Sequence, residues 1–270
     1  MHDLRDKVCF VTGAAAGIGA VIVRAFLDEG AKHVAALDID ISKGQELQQE
    51  LTNKYGEGKV KFHKCDVTTN EIDTVYDDVV KEYEYVDVVV NCAGIMNDRP
   101  NVFVKEIEIN VTALIRSSFK AFDLMRKDHG GRGGTIINIS SIVGLFRAHL
   151  LPVYTATKSA VLQFSNCLGM DPHASRSGVR VLTLCFGCTD TSLFSQSKMG
   201  AFDKETDELL AGSLGKLPMQ TIDSAVAGLL KAYKEGDSAS TWLITSGRPA
   251  EDITGNISKA YGIMSQGVFS

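Results

Sequence analysis

A surplus of positive charge is missing. Lysine and arginine number 28 against 33 aspartates and glutamates, a formal charge of −5. Proteins that hold nucleic acids normally neutralise phosphates with a basic face, so a polyanion partner is excluded. The segment His129-Gly130-Gly131-Arg132-Gly133-Gly134 has one arginine and reads as a turn before a strand. Proline is scarce, 5 in 270 residues, and no low-complexity linker or repeat divides the chain. Membrane-length apolar runs are lacking too. Residues 8–23 carry no charge, but sixteen residues fall short of the ~20 needed to cross a bilayer. Asp3 and Asp6 beside Arg5 and Lys7 make a poor signal peptide, and the final Gly-Val-Phe-Ser shows no lipidation signal. The cytoplasm is the expected location.

Cysteine is too sparse for a disulfide scaffold. The six cysteines (9, 65, 92, 167, 185 and 188) are scattered, mostly in apolar runs. Cys185 and Cys188 are spaced C-x-x-C, but a zinc site needs a second ligand pair and the six histidines are dispersed. No metal is expected.

Glycine and apolar residues are plentiful: 25 Gly, with 44% of residues hydrophobic. Segments at Lys7–Thr12, His33–Leu37, Val60–Cys65, Val86–Val90, Thr135–Ile139, Val179–Cys185 and Thr241–Thr245 read as strands, with Lys7–Thr12 and Val86–Val90 of a buried kind. Between them lie helical patterns. Ile18, Val21, Ile22, Ala25 and Phe26 share one helix face, and further helices are expected near 69–84, 104–127, 153–175 and 224–234. Alternating strands and helices with short connections imply right-handed crossovers and a parallel sheet. The expected fold is α/β: one doubly wound Rossmann-type domain over 1–270, with seven parallel strands and helices on both faces. Residues 192–220 form an expected substrate-binding lid and 251–270 a C-terminal tail.

Two patterns carry chemistry. The first turn reads Thr12-Gly13-Ala14-Ala15-Ala16-Gly17-Ile18-Gly19, between a strand and a helix. Missing side chains let a pyrophosphate approach backbone N–H groups at a positive helix end. Asp38 ends the second strand, where a carboxylate accepts hydrogen bonds from adenosine ribose hydroxyls and repels a 2′-phosphate. No Arg or Lys occupies 14–16 or 39, so NAD is expected over NADP. In the second pattern, Tyr154 and Lys158 stand one helical turn apart. A lysine cation beside a phenol favours the phenolate and should lower its pKa below the usual ~10. Such a tyrosine takes a proton from an alcohol, and Ser141, just past the fifth strand, can hold the substrate oxygen.

Together these motifs resemble the short-chain dehydrogenase/reductase superfamily, from about residue 5 to 250. Thr12 to Gly19 resembles TGxxxGIG. Asp66-Val67 resembles its adenine contact, and Asn91-Cys92-Ala93-Gly94 its NNAG, with Cys92 replacing Asn. Cys185-Phe186-Gly187 with Thr191 resembles its PGxxxT loop, with Phe186 replacing Pro. The resemblance implies Asn110, Ser141, Tyr154 and Lys158 as catalytic residues, with Asn110 bending the long helix and feeding a proton-relay water to Lys158. It implies Gly13, Gly17, Ile18, Gly19, Asp38, Asp66, Val67, Asn91, Ala93, Gly94, Tyr154, Lys158, Gly187, Thr189 and Thr191 as NAD contacts. It also implies a homodimer or homotetramer formed through the helices carrying Asn110 and Tyr154. The chain looks most like the insect alcohol dehydrogenase and NAD-linked 15-hydroxyprostaglandin dehydrogenase branch.

Leu193, Phe194, Met199, Phe202, Leu209, Leu210, Leu214, Leu217 and Met219 give the lid an apolar character. That points to a small apolar alcohol or its carbonyl as substrate: fatty, isoprenoid, steroid or hydroxy-lipid. Core packing is the competing explanation for the same residues. The expected activity is reversible alcohol oxidation with hydride transfer to NAD. Alternatives are an inactive NAD-binding storage or regulatory protein, and an NADP-linked carbonyl reductase.

Overall fold

The computed structural model describes residues 1–195, 197–214 and 217–268. Strand and helix alternate: β1 (Val8–Thr12), α1 (Gly17–Asp28), β2 (His33–Asp38), α2 (Ile41–Tyr55), β3 (Val60–Lys64), α3 (Glu71–Tyr83) and β4 (Val88–Asn91). Then come α4 (Phe103–Ile107), α5 (Leu114–Met125), β5 (Gly134–Ser141), α6 (Pro152–Gly169), α7 (His173–Ser177) and β6 (Val179–Phe186). The chain closes with α8 (Lys204–Leu214), α9 (Ile222–Glu235), β7 (Thr241–Ile244), β8 (Glu251–Asp252) and α10 (Thr254–Met264).

The strands form one sheet in the order β3-β2-β1-β4-β5-β6-β7-β8. The chain starts in the middle, moves outward to β3, then crosses to β4 on the other side of β1. That reversal opens a crevice at the carboxyl ends of β1 and β4, where ligands bind in such sheets. Alternate residues of β1 feed opposite faces. Cys9 and Val11 join Ile22, Val23, Phe26 and Leu229 in one apolar layer. Val8 and Phe10 join Tyr76, Phe122 and Met125 in the other. No described helix is long and apolar enough to cross a membrane, and the uncharged run 8–23 is β1, the glycine turn and part of α1.

The structure departs from the sequence expectations at four places. The first seven strands pair in parallel as expected, but β8 adds an eighth, antiparallel to β7. Its two residues are acidic and carry no strand pattern. The expected helix 104–127 is interrupted by a wide π-helical turn over Glu108–Ala113, at the place where the resemblance implied that Asn110 bends it. The expected helix 153–175 stops at Gly169, with α7 following as a separate turn. A Cβ at Gly169 would lie 2.6 Å from the Ala239 nitrogen, and Pro172 lacks the N–H needed to continue the helix. Ser141 is the last residue of β5 rather than one beyond it.

Two histidines on neighbouring strands are held neutral. His33 is buried, with its Nδ1 2.8 Å from both the Gly58 carbonyl oxygen and the Tyr83 hydroxyl. Burial pushes His63 down to about 4, with Lys61 adding to the effect. A folded-state pKa below the unfolded value means stability that is complete above ~6.5 and lost as pH falls toward 4. Discounted for partial exposure, His63 should cost on the order of 1–2 kcal/mol between pH 7 and pH 5. Urea midpoints of wild type and His63→Phe at both pH values check this: the variant should lose less stability on acidification.

Candidate active site

The glycine turn is shaped by close approach. Gly13 (φ +68°) abuts the end of β4: a Cβ there would lie 2.9 Å from the Ala93 nitrogen. At Gly19 a Cβ would lie 2.0 Å from the Gly13 carbonyl oxygen, so the first turn of α1 folds back on the loop only without a side chain. Gly17 (φ +54°) begins α1 within reach of the Thr191 methyl, 3.5 Å from where its Cβ would be. Ala16 precedes α1 and provides no side-chain cap, leaving first-turn N–H groups of that helix open to an anion. Ile18, on the same turn, packs partly buried against the core.

Asp38 is joined to this turn. Its Oδ2 accepts the Ala15 N–H at 2.9 Å and its Oδ1 the Asp40 N–H at 3.0 Å. Each oxygen keeps lone-pair capacity for a hydroxyl donor. Thr12 joins β1 to β4: its Oγ1 accepts the N–H groups of Cys92 and Ala93 at 3.1 and 3.2 Å. Cys92, where an amide was expected, leaves those bonds intact, and burial pushes its thiol up to about 12. Asn91 donates to Ser118 and Asn138 at 3.1 and 2.8 Å. Asp66 and Val67 lie past β3. Thr68, through its hydroxyl and its amide, holds the Asp66 carboxyl below its usual range.

Asn110 sits in the π turn, fully buried. Its Nδ2 donates to the Ile95 carbonyl at 2.8 Å and its Oδ1 accepts the Ile95 N–H at 2.9 Å. Its Nδ2 also reaches Thr157 Oγ1 at 3.2 Å. A Cβ at Gly94 would lie 3.2 Å from Asn110 Oδ1 and 3.7 Å from Lys158 Nζ, which places Asn110, Gly94 and Lys158 together.

Tyr154 and Lys158 belong to the core-facing stripe of α6, with Thr157, Val161, Leu162, Ser165 and Leu168. They are therefore no surface pair. Lys158 Nζ stands 5.6 Å from the centre of the Tyr154 ring and donates to the Ile139 carbonyl at 3.1 Å. Ser140 Oγ donates to the Lys158 carbonyl at 2.8 Å, fastening α6 to β5. Ser141 Oγ accepts from Val143 N at 3.3 Å, and its hydroxyl bears on the charge of the Tyr154 phenol.

The electrostatics differ from the sequence expectation. Burial raises the Tyr154 phenol above its ordinary value, although Ser141 works in the opposite direction. Burial lowers Lys158 to about 8. Desolvation favours the neutral form of each, and it outweighs the attraction expected from the lysine cation.

At the end of β6, Phe186 pairs with Ser141 and Ile244 as an ordinary strand residue. Gly187 is forced by crowding: a Cβ would lie 2.0 Å from Thr245 Oγ1. Thr189 Oγ1 donates to the Gly187 carbonyl at 3.0 Å, and Thr191 caps the short turn Ser192–Phe194. From the lid, Met199 and Leu210 are buried with Met96, Leu151 and Tyr154, while Leu193 and Phe194 pack partly buried beside them. Phe202, Leu209, Leu217 and Met219 are exposed, and the Leu214 side chain lies outside the described residues. Of the apolar residues expected in a lid, only some therefore pack near Tyr154.

Sequence reasoning missed Asp98 and Glu106, both buried. Asp98 accepts the Val153 and Tyr154 N–H groups at 2.6 and 3.0 Å. No short motif marks them, since their contacts reach across loops.

Comparison with known proteins agrees with this architecture. The family model described as short chain dehydrogenase matches residues 7–200. The 15-hydroxyprostaglandin dehydrogenase [NAD(+)] of Rattus norvegicus is 34% identical over 216 residues, covering 78% of this chain and 80% of that protein. Alcohol dehydrogenase 1 of Ceratitis cosyra is 40% identical over 156 residues, covering 57% and 60% respectively. Among solved structures, a dehydrogenase/reductase from Sinorhizobium meliloti 1021 superposes with a TM-score of 0.72 at 23% identity, over 91% of this chain and 96% of that one. It shares the fold.

Proposed function

We propose that this chain, which belongs to the short chain dehydrogenase family, is an oxidoreductase that oxidises an apolar alcohol to its carbonyl with NAD⁺. The observation that carries this reading is Tyr154. It lies on the core-facing stripe of α6 with Lys158 one turn on and Ser141 bearing on its phenol, under an apolar cover formed by Met96, Leu151, Met199 and Leu210. The names of the relatives, a hydroxyprostaglandin and an alcohol dehydrogenase, agree with it.

The residues fit a dinucleotide. The cradle at Gly13 and Gly19 has no room for a Cβ, and the α1 N-terminus has no side-chain cap. Asp38 presents a carboxylate already fixed to the glycine turn, a poor neighbour for a 2′-phosphate. Ile18, Asp66, Val67, Asn91, Ala93, Gly94, Gly187, Thr189 and Thr191 would complete the site. Bound NAD⁺ supplies the acceptor for the hydride leaving the alcohol carbon.

The chain's own groups handle the proton. Ser141 donates a hydrogen bond to the substrate oxygen. Tyr154, as phenolate, takes the hydroxyl proton. Lys158 gives one N–H to Ile139 and keeps its others for a ribose and for stabilising the phenolate. Because burial raises Tyr154 and lowers Lys158, the phenolate needs further positive charge nearby, which an oxidised nicotinamide would supply. Asn110, fixed at both ends to Ile95, holds the π turn beside Lys158. The lid apolar residues facing Tyr154 exclude water and select substrates without charge.

The test is a panel of primary and secondary lipophilic alcohols with NAD⁺, followed by NADH absorbance. Oxidation of an apolar member is expected, with NADP⁺ a much poorer substitute. A folded protein that binds NADH yet turns over none of them would point to the catalytically inactive reading. Equal use of NADP⁺ would overturn the role given to Asp38.

A further inference from the structure

Helix α6 begins without a cap of its own. Leu151 precedes it and has no polar side chain, and Pro152 at its first position has no N–H. The Val153 and Tyr154 amides both go to one carboxyl, Asp98, and the Thr155 amide returns to the Leu151 carbonyl at 2.9 Å. Asp98 comes from the segment between β4 and α4 and is 1% exposed. Against it lies Glu106, 0% exposed. Glu106 Oε1 accepts the Asn97 N–H at 3.0 Å. Its Oε2 is buried with no N–H or hydroxyl donor, and the two carboxyls, linked through the Asn97 amide, act on each other's charge.

Two buried carboxylates acting on each other cannot both stay charged in a dry interior. The anion belongs on Asp98, which has two amides and the positive end of α6. The shared proton then sits on Glu106, which donates it back to Asp98, so the orphaned Oε2 becomes a satisfied donor. Burial pushes the Glu106 acid well up, and the Asp98 charge adds to this. The titratable groups that bear on the pair from α6 are Tyr154 and Lys158. From α4, Lys105 faces Asp66 instead. Arg99, next to Asp98, pairs with Asp207 of α8 at 3.3 Å.

The same segment holds the lid. Asn97 Nδ2 donates to the Lys198 carbonyl at 3.1 Å, and the Asp98 N–H to the Gly200 carbonyl at 2.7 Å. One strap therefore supports both the lid and the first turn of the helix that carries Tyr154.

We propose that Asp98, locked by a proton-bearing Glu106, is a positioning residue for Tyr154: the pair fixes the first turn of α6 and sets the charge beside the phenol. This rests on the assignment of Tyr154 as proton acceptor.

Glu106→Gln keeps a donor to Asp98 and an acceptor for Asn97 but cannot ionise. Glu106→Leu keeps bulk and removes both bonds. Three readouts need no substrate. Infrared spectra at neutral pH should show a protonated-carboxyl band in wild type that is absent from Glu106→Gln. Hydrogen exchange over segment 152–158 should quicken about tenfold in Glu106→Leu, the scale of losing a helix cap, and stay near wild type in Glu106→Gln. In alkaline absorbance titration, taken as a difference against Tyr154→Phe, the Tyr154 phenolate should form at lower pH in Glu106→Gln, because the second negative charge never appears.

With an alcohol from the panel, Glu106→Leu should lose kcat while KM for NAD⁺ holds, and Glu106→Gln should restore it. A missing carboxyl band, or unchanged exchange and Tyr154 titration in these variants, overturns the proposal. If Glu106→Leu fails to fold, the band and the titration of Glu106→Gln still decide it. Wild type inert toward every alcohol would sink the reaction assigned above and leave the three substrate-free readouts to judge the pair.

Discussion

Tyr154→Phe is expected to lower turnover by about 10³-fold, within the range that a positioned proton acceptor contributes. The rest of the site should survive the change. The ring remains in its apolar cluster, and the lost hydroxyl has Ser141 as its protein neighbour. Stability should fall by no more than ~1 kcal/mol, the net value of one such hydrogen bond. Turnover of the best alcohol, together with NADH binding followed by fluorescence, checks this. Loss of turnover with intact NADH binding is the expected pair of results; turnover near wild type removes Tyr154 from the chemistry. Wild-type rate should rise with pH as the phenolate forms, and that limb should vanish from any residual activity of the variant.

Gly19→Ala is expected to have the second largest effect. Its methyl would lie 2.0 Å from the Gly13 oxygen and 3.1 Å from the Ala14 Cα. Both neighbours are backbone, so the glycine turn itself must shift. Overpacking of this kind costs about 1–3 kcal/mol. If the same strain falls on the phosphate cradle, NADH binding should weaken by roughly 10- to 100-fold, at 1.4 kcal/mol per factor of ten. Gly212→Ala is the control. It lies exposed in α8 with nothing within 4 Å of an added methyl, so it should be neutral or slightly stabilising. Thermal melts with and without NADH separate the two variants.

What was legible in the sequence was local. The glycine turn, Asp38 and the Tyr154–Lys158 spacing each lie within a few residues of one strand end or helix turn. Side-chain type and period are enough there. Six of the seven parallel strands were legible for the same reason, as short apolar runs buried on both faces, while the edge strand β3 is only partly buried. What stayed hidden depends on contacts between distant segments. Glu106 stands among ordinary helix residues, and only its burial, with Asp98 adding to the effect, raises its carboxyl. The sign of the Tyr154 shift was misjudged because spacing shows the neighbouring cation but not the loss of water around both groups. The π turn at Asn110 has no composition of its own, so only the family resemblance marked a bend there, and β8 is too short for periodicity to register.

That eighth strand has a consequence for how copies of the chain meet in solution. A parallel sheet ending at β7 would offer Thr241–Ile244 as an open template for another chain's backbone. Instead Leu243 pairs with Glu251 and Trp242 with Asp252, so the outermost strand is two residues long and doubly acidic. The opposite border, β3, carries Lys61 and Lys64 in ion pairs with Glu82 and Glu71. Neither border presents a long, flat, neutral strand, so concentrated protein should resist edge-to-edge β-aggregation.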